Sequence, residues 1–286
     1  MSRIAYVNGR YIPHAHAQVH VEDRGYQFAD GVYEVCEVRG GALIDETRHV
    51  QRLGRSLDEL KMAWPVGRGA LGVILREVVA QNRVRDGLVY MQVTRGVAPR
   101  EFYFPSVATP ASLVVTARAS NRAAIERNAA QGVAVKTMPD QRWPRRDIKS
   151  VSLLPNVLAK PAAREAGAFE AWLVDAEGKV TEGASSNAWI VTADGKLVTR
   201  KCDNDILRGI TRTTLIDLLK REKLELEERA FTVAEAQAAR EAFLSSATTI
   251  AMPIVSVDGI KVADGRPGPV VAKLRAHFHE LAEHAP

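Results

Sequence analysis

Hydrophobic and polar positions alternate or recur along the chain in runs short enough to be read element by element. IAYVNG and YIPHAHAQVHVED read as two short strands joined by an Asn-Gly turn. GVYEVCEVRGGALID alternates around Gly40-Gly41, which predicts a second hairpin with strands over 32–38 and 42–44. In ETRHVQRLGRSLDELKM the period changes: Val50, Leu53, Leu57 and Leu60 share one helical face, and the helix ends before Pro65. A second helix over ALGVILREVVAQNR follows. Strands at VYMQVTRG and ASLVVTARA, separated by the irregular VAPREFYFPSVATP, complete an α+β unit near residue 120. After NRAAIERNAAQG the pattern restarts with a strand at VAVKTM, a helix through LLPNVLAKPAAREAG, and strands at FEAWLVD and NAWIVT around turns at AEGK and ADGK. Helices at ITRTTLIDLLKREK and TVAEAQAAR, a strand at EAFLSS and a last helix at PVVAKLRAHFHELAEH close the reading. The pattern predicts an α+β fold of two domains, 1–120 and 121–286, with a ligand site expected where they meet.

Composition narrows the class. Of 286 residues, 46% are hydrophobic and 26% charged, which is ordinary globular usage and sufficient for a sizeable core. Cys36 and Cys202 stand alone, without CxxC or Cys/His spacing, so neither a disulfide framework nor a structural zinc is expected. The start MSRIAYVNGRYIPH lacks the basic-then-apolar order of a signal peptide. No apolar run approaches the roughly 20 residues a membrane span needs, so a cytoplasmic protein without membrane partner is expected. The net charge of +5 raises nucleic acid as a partner. Basic and acidic residues number 15 and 12 up to residue 120 and 24 and 22 beyond it, so neither half is a basic module and no nucleic-acid binding is expected.

Candidate chemistry lies in a few local patterns. Gly209 precedes a strongly helical segment with Thr211, Thr213 and Thr214 in its first turn, an arrangement suited to an anion at a helix N-terminus or, more plainly, to an ordinary cap. A second hydroxyl-rich turn occurs at 245–249. Lys149, in DIKSVSLLPN, stands where an apolar helix begins; a desolvated lysine becomes a nucleophile toward carbonyls, although most lysines are solvated surface groups. Glu182 lies in VTEGASSN, read as a turn between strands, where it is either a turn acid or a partner for a ring nitrogen. DRGYQFADGVYEV packs Asp23, Arg24, Tyr26, Asp30, Tyr33 and Glu34 into thirteen residues, and Arg52 and Arg100 are each either a bidentate grip for an anion or a solvated surface charge. His49 has no second histidine at metal spacing, and HFHELAEH reads as a solvent-facing helix, so no metal is assigned. No GxSxG, GxGxxG or P-loop lysine occurs.

Taken in order, DRGYQFADGVYEV, HVQRL, VTRGVAPR, DIKSVSLLPNVLAK, VTEGASSN, LRGITR and SSATTI resemble the D-amino acid aminotransferases, a family of class IV, fold-type IV enzymes that use pyridoxal 5'-phosphate. The resemblance runs over essentially the whole chain. It implies a smaller N-terminal α/β domain and a larger C-terminal mixed α/β domain of pseudo-barrel form. It makes Lys149 the lysine that holds the cofactor by its aldehyde carbon and shuttles the proton at the substrate α-carbon, and Glu182 the acid paired with the pyridine nitrogen. Arg52 matches the phosphate-binding arginine, Ile210 and Thr211 the phosphate-binding helix start, and Ala247 and Thr248 the second phosphate turn. Leu207 matches the residue packed on the ring, and Ser185 the serine beside the glutamate. Tyr33 and Arg100 match the groups that hold the substrate carboxylate, the arginine coming from the neighbouring subunit of a homodimer. Phe102 departs from the pattern: a histidine often stands there, and a phenyl ring cannot donate a hydrogen bond. Ala184 and Ala247 likewise replace hydroxyl residues. The implied reaction is ping-pong transfer from a D-amino acid, D-alanine foremost, to a 2-oxo acid such as 2-oxoglutarate, giving pyruvate and D-glutamate. The branched-chain aminotransferases, (R)-selective amine aminotransferases and aminodeoxychorismate lyases share several of these motifs and are the alternatives; a basic binding module without catalysis would need neither Lys149 nor Glu182.

Overall fold

Asn8 and Gly9, with φ of 45° and 92°, turn β1 (Ile4–Val7) back into β2 (Arg10–Pro13), the geometry that Asn-Gly adopts most readily. They open a computed structural model that describes residues 3–105 and 109–286, so the centre of the irregular 97–110 segment and the first two residues lie outside the described residues. The chain groups into one unit of Met1–Asn121, Ile148–Ser152 and Glu283–Pro286, and another of Arg122–Asp147 and Leu153–Ala282. Two short segments that the sequence pattern assigns to the second domain thus group with the first, because their backbones pair with its strands. Among the described residues no helix is long and apolar enough to cross a membrane.

The first unit continues with α1 (Arg24–Phe28), β3 (Gly31–Arg39), β4 (Ala42–Ile44), α2 (Glu46–Glu59), α3 (Arg68–Gln81), β5 (Gly87–Thr94) and β6 (Ser112–Ala119), and receives β17 (His284–Ala285), numbered along the whole chain. Its seven-stranded antiparallel sheet runs β17-β4-β3-β5-β6-β1-β2. The alternation of β3 sends Val32, Cys36 and Val38 inward, where Leu53 and Leu57 of α2 and Leu71, Leu75 and Val78 of α3 meet them in one core. Glu34 belongs to the same inward series and is fully buried. The expected strand beyond Pro13 does not form: His14–His16 is a single 3-10 turn, Val19 and Val21 are exposed, and Asp23 caps α1 by accepting from the Gly25 amide at 2.9 Å.

The second unit comprises α4 (Arg122–Gln131), β7 (Val133–Pro139), α5 (Leu154–Glu165), β8 (Glu170–Val174), β9 (Lys179–Gly183), β10 (Asn187–Val191), β11 (Leu197–Thr199), α6 (Ile210–Arg221), β12 (Leu226–Glu228), β13 (Phe231–Thr232), α7 (Val233–Gln237), β14 (Glu241–Ser246), β15 (Ile250–Val257), β16 (Ile260–Lys261) and α8 (Pro269–Leu281). Its ten-stranded sheet runs β12-β11-β10-β14-β15-β7-β8-β9-β13, with β16 beside β15; the pairs β7–β8, β7–β15 and β11–β12 are parallel and the rest antiparallel. Trp172 packs edge-on against Phe231, with ring centroids 5.9 Å apart, and Trp189 stacks on Phe243 at 5.3 Å. Several strands, β9 and β15 among them, were not visible in the pattern. β9 turns the expected 182 turn into a strand, and β15 carries Pro253 inside an apolar run, a residue that argues against a strand when read alone.

Candidate active site

In the first unit, Lys149 is fixed through its backbone. Tyr33 N donates to Lys149 O at 3.0 Å, Val151 N to Gly31 O at 3.0 Å, and Val32 forms a bridge with Ser150, so residues 149–151 lie against the start of β3. Lys149 N also donates to Oγ of Ser56, a fully buried residue of α2, at 3.3 Å. Backbone anchoring on both sides leaves the side chain to project, and Nζ stands 4.2 Å from the centroid of the Tyr33 ring. Tyr33 in turn lies beside Tyr90, with ring centroids 5.7 Å apart; Tyr90 donates to Gln92 Oε1 at 2.6 Å, and burial pushes its phenol up to about 12.

Arg52 is aimed by Glu34. Its Nε and Nη2 donate to the two Glu34 oxygens at 2.7 and 2.8 Å, the forked geometry that orients a guanidinium best. His49, three residues earlier on α2, shares the carboxylate with Nδ1 2.7 Å from Oε2. Burial alone would raise the Glu34 carboxyl, but Arg52 and His49 hold it down at about 2. Burial lowers the His49 pKa despite Glu34, and an ionised carboxylate can only accept, so Nδ1 carries the proton of a neutral ring. The sequence had set His49 aside for want of a second histidine. The available signal was different: an acid standing in the buried series Val32, Glu34, Cys36, Val38 requires a buried cationic or donating partner.

Arg100 and Phe102 belong to another cluster of the same unit. The Arg100 guanidinium carbon lies 5.0 Å from the Phe28 ring centroid and 6.0 Å from that of Phe102, which is 82% exposed. Beneath them Asp30 binds Arg24 at 2.9 Å and Arg95 at 2.7 Å; Arg24 Nη1 also donates to Glu101 O at 2.7 Å, and Arg95 lies 3.8 Å from the Phe104 centroid. The buried cations therefore hold the segment on which Arg100 is carried.

In the second unit, Glu182 is the penultimate residue of β9 and is buried among donors. Asn187 Nδ2 donates to Oε2 at 2.9 Å, Leu207 N lies 3.1 and 3.2 Å from the two oxygens, and Arg142 Nη1 donates to Oε1 at 2.5 Å. Burial raises the Glu182 pKa against the pull of Arg142. Asn187 Nδ2 also donates to Leu207 O at 2.9 Å, so one amide fixes both residues. A Cβ on Gly209 would stand 2.1 Å from Asn187 Oδ1, so only glycine fits at the cap of α6. Gly209 gives that cap no side chain, and the buried Ile210 and Thr211 open a helix whose first amides lack intrahelical acceptors. At the 245–249 turn, Ser246 Oγ pairs with Thr248 Oγ1 at 3.1 Å and Thr249 Oγ1 at 2.8 Å; Ala247 is half-buried and Thr248 exposed. Ile250, next in sequence, holds φ of 59°, a strained value for a β-branched residue. Ser185 is exposed, and its hydroxyl donates to the buried Glu170 at 2.6 Å, with Lys160 at 3.1 Å on the other oxygen.

Comparison with known proteins adds a whole-chain likeness to this geometry. The family model "Amino-transferase class IV" matches residues 31–257. A D-alanine aminotransferase of Listeria innocua is 42% identical over 96% of this chain and 94% of its own length, and one of Bacillus licheniformis is 40% identical over 94% and 93%. Among solved structures, the T.th. branched-chain amino acid aminotransferase with pyridoxamine 5'-phosphate superposes with a TM-score of 0.88 at 26% identity, covering 98% of this chain and 94% of that one.

Proposed function

The chain belongs to the class IV aminotransferases, fold type IV, and from that premise we propose that it is a pyridoxal 5'-phosphate enzyme that moves the amino group of a D-amino acid, D-alanine foremost, to a 2-oxo acid such as 2-oxoglutarate. One observation carries the substrate class: the D-alanine aminotransferases match at 40–42% identity along nearly the whole chain, against 26% for the branched-chain structure. The protein acts as a cytoplasmic homodimer, on small amino and oxo acids alone.

The donor set suits the cofactor's chemistry. It offers an amine projecting from an anchored backbone, a buried carboxylate, and a helix start whose Gly209 cap supplies no side chain to its first amides. When bound, pyridoxal phosphate supplies an electron sink for the substrate α-carbon. Lys149 would hold the cofactor through its amine and, once the substrate's amino group displaces that amine, would be the base that takes and returns the α-proton. Glu182, fixed by Asn187 and the Leu207 amide, would pair with the ring nitrogen and keep it protonated, and Leu207 would pack on the ring. Arg52, oriented by Glu34, the amides of Ile210 and Thr211, and the Ala247–Thr248 turn take the phosphate, while Ser185 steadies the loop after Glu182 through Glu170. Tyr33 and the partner protomer's copy of Arg100 hold the substrate carboxylate; Phe102 adds apolar contact and no hydrogen bond.

The purified protein is expected to absorb near ~410–420 nm, to lose that band in Lys149→Ala, and to have it bleached by D-alanine. A protein that takes up no pyridoxal phosphate ends the enzyme reading. Bleaching by L-leucine or (R)-1-phenylethylamine but not D-alanine ends the D-amino acid reading.

A further inference from the structure

Arg142 donates to the buried Glu182 and at the same time clasps a second carboxylate. Its Nε and Nη2 bind Asp140 Oδ1 and Oδ2 at 2.9 and 2.8 Å, and its Nη1 reaches Glu182. Arg142 and Asp140 are nearly sealed, with side-chain exposures of 8% and 0%. Asp140 accepts in its turn from the Thr181 hydroxyl at 2.7 Å and the Arg142 amide at 3.1 Å, and Arg146 Nε stands 3.5 Å away as an ion-pair partner without hydrogen-bond geometry. The alternation of charge continues outward: Arg146 binds Asp205 at 2.9 Å, Asp205 binds Arg200, and Arg200 binds Asp175 at 2.8 Å. Cys202, whose thiol burial pushes up, feels Glu182 together with Arg212, Arg208 and Glu228.

A buried carboxylate needs a partner to remain charged, yet a bare guanidinium beside a ring nitrogen would repel the proton that the same carboxylate is there to hold. The geometry resolves this conflict. We propose that Arg142 and Asp140 act as one positioning unit, a guanidinium donor whose charge is cancelled by the bidentate Asp140, so that Glu182 is held ionised and in place without a net cation facing the pyridine nitrogen. Thr181, next to Glu182 on β9, secures the cancelling carboxylate. The proposal rests on the assignment of Glu182 to the ring nitrogen.

The test uses the full-length enzyme loaded with pyridoxal phosphate labelled with nitrogen-15 in the ring, whose shift reports protonation of that nitrogen as pH is varied. D140N leaves the guanidinium uncancelled and is expected to lower the ring-nitrogen midpoint by at least about one pH unit, a tenfold loss of proton affinity. The double variant D140N/R142M removes both charges and is expected to recover most of that shift. T181V, close to isosteric and removing one bond to Asp140, shifts the midpoint the same way by less and keeps a readout if D140N does not fold. Variants D140N and T181V with wild-type midpoints overturn the proposal, as does a double variant no nearer wild type than D140N. E182Q separates the two layers. If it leaves the nitrogen signal unchanged, the assignment of Glu182 fails; if it alone changes the signal, only the Arg142–Asp140 unit fails.

Discussion

Replacing Glu34 with glutamine isolates the most heavily invested ion pair of the first unit. The carboxyl lies at about 2 in the fold against an ordinary 4.5, and it is fully buried. That difference, at about 1.4 kcal/mol per pH unit, corresponds to about 3 kcal/mol of stability at neutral pH, within the range for removing one partner of a buried pair. The folded value is the lower one, so the folded state binds fewer protons than the unfolded state below about pH 5. The contribution is complete above the unfolded pKa and is lost as pH falls from about 5 toward 2: about 1 kcal/mol is gone at pH 4 and about 2 kcal/mol at pH 3. His49 adds a slope of the same sign, since its buried ring stays neutral below pH 6.5 while the unfolded chain takes up the proton. Asp140, Asp175 and Asp258 are also lowered, so the informative quantity is wild type minus E34Q at each pH. With two units in the chain, exchange protection of the β3 and α2 amides under urea measures the first unit better than one global signal. A wild-type advantage that stays constant from pH 7 to 3, or an E34Q protein as protected as wild type at pH 7, refutes the reasoning.

Three further outcomes follow from particular contacts. G209A drives a methyl into Asn187 Oδ1 and so loosens both Glu182 and Leu207; equilibrium dialysis should show pyridoxal phosphate affinity at least about tenfold weaker. On the proposed role of Arg100 as a holder of the substrate carboxylate, R100A would lose a charge-assisted contact of about 1.5–3 kcal/mol and should raise KM for D-alanine about 10- to 100-fold while leaving amine substrates unaffected, as steady-state kinetics on both classes would show. D23A loses the cap to Gly25 and the bond from Thr94 Oγ1 at 3.0 Å, and thermal melting should register about 1–2 kcal/mol of destabilisation.

Local chemistry made much of the fold legible. The alternation of β3 and the Gly40-Gly41 hairpin are visible as period two, the face of α2 as a helical repeat, and the start of α6 as a glycine before threonines. β9 and β15 escaped because a glutamate before glycine and a proline in an apolar run imitate turns; each becomes a strand only when neighbours supply partners on both sides. The surroundings of Lys149 were hidden for a similar reason, since its anchors, Tyr33 and Ser56, lie about a hundred residues away in sequence. Glu34 stands in the sequence only as one charge among several in DRGYQFADGVYEV, and Arg142 as an arginine without an assignment. What they do depends on Arg52, His49 and Asp140, and only the folded chain sets those side chains at 2.7–2.9 Å.

The return of β17 to the first unit bears on how the protein is made. β17 pairs with β4, Asp45 N donates to Glu283 O at 2.9 Å, and Thr47 at the start of α2 binds the Glu283 carboxylate at 2.7 and 3.0 Å. Translation delivers β4 and α2 to the solvent long before residue 283, and Lys149 reaches its place against β3 only midway through. The unit synthesised first is therefore completed last. Until the chain end is made, the edge of β4 waits open, and a protein truncated after residue 282 should keep every strand of the second unit while leaving the first unit open to protease at α2.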